Sequence, residues 1–120
     1  MRIKNKKPYY LKRKTVIVDN EGGKYPGYLE EPIQIKANIA PASGKLQAEI
    51  YGERLNYILN MLYDENEVMA EGDGICVYVP KESKPDYKII SIKRYSHLVI
   101  ELEKLLWVQV VLMLVDLIVY

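Results

Sequence analysis

A lone cysteine, Cys76, leaves no partner for an internal disulfide and excludes a disulfide-stapled secreted scaffold. It sits between Ile75 and Val77 with no basic neighbour to lower its pKa, so it reads as a buried structural thiol. His97 is the sole histidine, which excludes a multi-histidine metal site, and one Cys with one His argues against zinc. Phe is absent and Trp occurs once. Neither sign of charge predominates: 17 Lys and Arg meet 16 Asp and Glu, so no whole-protein field directs the chain to nucleic acid. The glycines of NEGG, YPG and GDG are not followed by Lys-Ser or Lys-Thr at phosphate-loop spacing. The acids of DENEVMAEGDG lack the alternating ligands and closing Glu of a calcium loop. The opening MRIKNKKPYYLKRK is charged but has no apolar stretch of signal-peptide length behind it, so a cytosolic origin is expected. No catalytic grouping emerges, and the expectation is a non-enzyme with no cofactor, no metal and no small-molecule substrate.

What is present points to β structure. At 120 residues one domain with one core is expected. Tyr occurs 11 times, which suits half-buried rings at sheet faces and interfaces, although an AT-rich coding bias would produce the same. KTVIVD at residues 14–19 is a β-branched run ended by the turn formers NEGG. Residues 25–32 carry Pro26, Gly27 and Pro32 and predict a surface loop or irregular edge. Ile33, Ile35, Ala37 and Ile39 alternate with polar residues, a period of two with one face buried. APASG at 40–44 breaks that strand. Residues 45–51 and 55–63 fit strand and helix almost equally, and their neighbours favour strand. The acidic segment 64–74 predicts a hairpin connection, and strands follow at 75–79, 87–95 and 98–102. Together these predict a mainly β fold, a small single-domain barrel or sandwich of five to six strands with a long inserted loop and an apolar C-terminal extension.

Two terminal segments stand apart. Arg2, Lys4, Lys6, Lys7, Lys12, Arg13 and Lys14 precede the first acid, Asp19, and predict a basic N-terminal arm, residues 1–13, able to touch phosphates or an acidic partner. A solvated arm with no partner is the plainer reading. The run LLWVQVVLMLVDLIVY, residues 105–120, has 13 aliphatic or Trp residues out of 16. It falls short of the roughly 20 residues of a membrane span, so packing into a neighbouring subunit is expected, with Leu106, Trp107, Val111 and Leu114 as contacts and a membrane disfavoured. An oligonucleotide-binding barrel using the basic arm and tyrosines, or a membrane-associated protein anchored by its tail, are the competing readings.

The succession VIVDNEGG, IQIKANIAPASGKLQAEIYGERLNYI, GDGICVYVP and PDYKIISIKRYSHLVIELEK, spanning residues 14–104, resembles the small head-closure, or head-tail joining, proteins of tailed bacteriophages. The resemblance implies a β-barrel-like domain over residues 14–104 that forms a ring of twelve, or of six, copies. Such a ring would lie below the portal and its adaptor, close the channel on packaged double-stranded DNA, and offer a surface to a tail-terminator or tail-completion protein. It would be assembled in the bacterial host cytoplasm and reside in the virion neck. By position, residues 40–53 resemble a loop reaching toward the ring axis. Pro41, Ser43 and Gly44 would let it bend, and Lys45, Glu49, Glu53 and Arg54 would contact neighbours or line the channel. The extension 105–120 departs from the family pattern and implies an added intersubunit clasp.

Overall fold

The computed structural model describes residues 3–105. Eight strands form, β1 Lys7–Lys12, β2 Lys14–Val18, β3 Lys24–Tyr28, β4 Ile33–Pro41, β5 Ile58–Tyr63, β6 Gly74–Cys76, β7 Tyr87–Arg94 and β8 Leu98–Lys104. One helix, α1 Lys45–Tyr51, runs into a 3-10 turn, Gly52–Tyr57. Six strands close an antiparallel barrel in the order β1-β4-β5-β8-β7-β6, with β6 returning to β1. β2 and β3 form a separate two-stranded hairpin. The mainly β class expected from the strand spacing is thus the one observed, and of the barrel and sandwich left open there it is the barrel.

Closure follows from the alternation. On β4, Ile35 and Ala37 point inward while Gln34 and Lys36 face water, and on β5 Leu59, Met61 and Tyr63 do the same. With Leu11, Ile75, Ile89, Ile100 and Leu102 they fill the barrel interior. A register shift between Ile89 and Ser91 on β7 supplies the bend that lets the sheet curl onto itself. Cys76 is buried, its Sγ 3.8 Å from the Ser83 carbonyl, and burial pushes its thiol pKa up.

Four local expectations are corrected. The basic N-terminal segment is not an arm: residues 7–12 are a barrel strand pairing with both β4 and β6, so the barrel begins at Lys7 rather than at residue 14. Leu11 points into the core and the neighbouring charges had masked that alternation. Residues 24–28 form a strand despite Pro26, because β3 is an edge where a missing N–H costs no ladder bond. Residues 45–51 are helix, not strand. The acidic segment is not a hairpin, since β5 and β6 are not neighbours and residues 64–73 cross one end of the barrel between them.

Strand direction assigns the connections to two ends. The hairpin segment 13–32 joins the end of β1 to the start of β4, whereas the helical segment 42–57 joins the end of β4 to the start of β5. The two therefore lie at opposite ends of the barrel. Leu105, following β8, leaves at the helical end.

Candidate assembly surface

The helix forms because KLQAEIY holds mostly good helix formers between two glycines. Gly52 ends it at φ +57, where its N–H returns to the Ala48 carbonyl and a β-carbon would be strained. Its orientation is the reverse of an ordinary surface helix, which buries its apolar stripe. No residue of α1 is buried. Leu46 and Ile50, four apart and on one face, are 67% and 59% exposed. The polar face docks instead. Gln47 and Asn60 exchange hydrogen bonds of 2.7 and 3.1 Å, and Gln47 donates a third, 3.0 Å, to Glu101.

Glu101, on β8, is the anchor. Burial works to raise its carboxyl, but donors from Gln47 and Tyr51, the Lys93 ammonium at 3.8 Å and a bond from Ser91 outweigh it and hold the group below its ordinary value. The same burial and the same carboxylate push the Tyr51 hydroxyl up to about 12. Arg54 completes the clamp, 2.7 Å from Glu103 with its guanidinium 5.6 Å from the Tyr51 ring centre.

At the other end the hairpin projects from a second buried carboxylate. Asp73 accepts from the Lys14 and Ala70 N–H groups, both at 3.1 Å, and from Arg13 at 3.2 Å, so the root of β2 is fixed to the 70–73 turn. Arg13 also pairs with Glu67 and the Val68 carbonyl. The tip is closed by Asp19, whose carboxylate accepts from the N–H groups of Glu21 and Gly23. Cross-strand register puts Val16 and Val18 on one face with Pro26, and Ile17 and Tyr25 on the other with Gly27. Val16 and Val18 are 61% and 59% exposed, so a run as apolar as a core strand lies in water.

The expected contact residues distribute as follows. Pro41 closes β4 opposite Leu59. Ser43, Gly44, Lys45, Glu49 and Glu53 are exposed around α1, and Arg54 holds Glu103. These come together at one end, on a docked helix rather than a free loop. The basic residues do not form one patch. Lys12 is buried with its ammonium 2.6 Å from the Ser83 carbonyl, because β1 carries it under the 77–86 loop. Lys6 bridges Asp64 and Glu65, the shared bond raising the ammonium and lowering Asp64. Lys14 caps the Glu71 carbonyl, while Lys4 and Lys7 are exposed. Leu106, Trp107, Val111 and Leu114 lie outside the described residues. Sequence reasoning passed over Leu46, Ile50 and the two hairpin faces; the signal was the run Val16, Ile17, Val18, apolar at three successive positions rather than alternating.

Among the described residues no group of three or more acidic, Cys or His side chains could hold a metal ion, and no helix is long and apolar enough to cross a membrane. No protein-family model, curated protein or solved structure matches the chain.

Proposed function

We propose that the chain is a structural subunit of the neck of a tailed bacteriophage, forming a ring below the portal and adaptor that closes the DNA channel and receives the tail. The observation that carries the reading is the placement of two solvent-facing apolar elements at opposite ends of one closed barrel. A closed barrel leaves no sheet edge for association, so partners must be met by what projects from it. The inverted face of α1 at one end and the hairpin at the other give a subunit that can be held between two other assemblies. The resemblance of residues 14–104 to head-closure proteins supplies the identity of those assemblies.

The mechanism is steric and conformational. Copies placed around an axis block it with their projecting segments, and opening needs only that contact with a tail component shifts the population of those segments. The test is removal of the coding sequence from the phage that carries it. DNA-filled heads that leak their DNA beside unattached tails are the expected product. Infectious particles at normal yield overturn the proposal.

A further inference from the structure

The hairpin has two outer edges, and they differ. Within it the Asp19 N–H donates 2.9 Å to the Gly23 carbonyl, and the Leu29 N–H donates 2.8 Å to that of Arg13. Bonding alternates along a strand, so the odd residues of β2 turn their backbone groups toward β3, and Lys14, Val16 and Val18 turn theirs outward. The Lys14 N–H agrees, since Asp73 takes it from outside the hairpin. On β3 the outward residues are Lys24, Pro26 and Tyr28, and Pro26 has no N–H to offer at the middle of that edge. The edge of β3 is thus blocked, while that of β2 presents the N–H and carbonyl of Val16 and of Val18. The barrel is closed, so among the described residues this edge is where a further strand can add.

Register and charge select the strand. One that bonded at Lys14 would compete with Asp73, which leaves Val16 and Val18. Two copies of β2 laid antiparallel about Ile17 use those groups completely: Val16 of each exchanges both backbone bonds with Val18 of the other. Ile17 then meets Ile17 on one face and Val16 sits beside Val18 on the other, so the facing pairs are apolar. The same register sets Lys14 opposite Asn20 of the second copy, next to its Asp19. The Lys14 ammonium bonds a carbonyl, that of Glu71, and the Asp19 carboxylate bonds backbone N–H groups, so neither charge has an ion-pair partner among the described residues of its own subunit. Each basic root therefore meets an acidic tip, and no like charges stand opposite one another.

From this geometry we propose that two copies of the chain pair through the outer edges of β2, antiparallel about Ile17, joining their two-stranded hairpins into one sheet. Because Pro26 blocks the far edge on either side, the pair closes on itself and does not grow into a fibre. Both hairpin faces stay open, so the Val16 and Val18 face is still available to another partner. The inference concerns the free chain, rests on the hairpin alone, and holds whether or not the subunit forms a ring.

Disulfide trapping on the full chain tests it. Directly opposed residues of this kind lie about 4.5 Å apart between α-carbons, within disulfide reach, so Ile17→Cys should give a covalent dimer under mild oxidation. Thr15→Cys should not, because the two Thr15 are offset along the strands by roughly 13 Å. Cys76 is buried and common to both chains. Adding Val16→Pro to the Ile17→Cys chain removes an outward N–H that the hairpin does not use, and should abolish the covalent dimer at unchanged Tm. Val16→Thr keeps that N–H and should retain the dimer. An Ile17→Cys chain that stays monomeric overturns the proposal. So do equal dimer yields at positions 15 and 17, or a dimer that survives Val16→Pro.

Discussion

Replacing Leu46 and Ile50 together by Gln separates association from folding. Gln keeps helix propensity and adds no charge beside Glu49 and Glu53. A Leu or Ile side chain wholly withdrawn from water contributes about 1.5–3 kcal/mol. Scaled by exposures of 67% and 59%, each contributes about 1–2 kcal/mol if a partner covers it. The pair then amounts to about 2–4 kcal/mol, or roughly 30- to 700-fold in the association constant. Within the subunit neither side chain packs on the barrel, so folding stability should change by no more than about 0.5 kcal/mol, a shift of about 2–4 °C in Tm. Sedimentation velocity over a concentration series reads the first quantity and a thermal melt the second. Unchanged association at unchanged Tm would refute the assignment of this face to a partner. A loss of more than about 10 °C would show that the side chains are packed in the subunit after all.

Asp73→Ala strips the partner from Arg13 and two backbone N–H groups at the hairpin root, and should cost about 3 kcal/mol or more in denaturant unfolding, against under 1 for the exposed Glu71→Ala. Glu101→Gln tests the α1 clamp by pH. Because the native carboxyl is held below its ordinary 4.5, its stabilisation is full above that value and is lost as the pH falls through the lowered native one. The gap in denaturation midpoint between wild type and Glu101→Gln should therefore be widest near neutrality and narrow progressively as the pH falls below 4.5; a gap independent of pH contradicts the assignment. Gly74→Ala places a methyl against Pro85 and Tyr28 and should destabilise by about 1–3 kcal/mol, measured the same way, whereas a neutral outcome would show that the loop yields freely.

The barrel was legible because its strands follow the ordinary rule of apolar inward and polar outward. Ile33, Ile35, Ala37 and Ile39 display it openly, and Cys76 within an apolar run was correctly read as buried. α1 was not legible, because Leu46, Ala48 and Ile50 satisfy a period of two, and a periodicity argument assumes that apolar residues face their own core. Here Gln47 and Tyr51 face it, through a carboxylate on β8 some fifty residues away in sequence. β1 was hidden by its charge: Lys12 looks like part of an arm until the 77–86 loop is seen to close over it. The crossing at 64–73 could not be read locally either, since a hairpin and a barrel-end crossing share the same turn chemistry. Residues 40–54 were expected as a bending loop, and a helix docked through Gln47 and Tyr51 stands there instead.

Cryo-EM of tailed particles that contain this chain, with symmetry determined rather than imposed, tests the central claim most directly. A ring below the portal is the expected result, with the Leu46–Ile50 face of α1 and the Val16–Val18 face of the hairpin each covered by protein, on opposite sides of the ring. Particles in which the chain is absent from the neck, or a ring in which both faces remain in water, would contradict it.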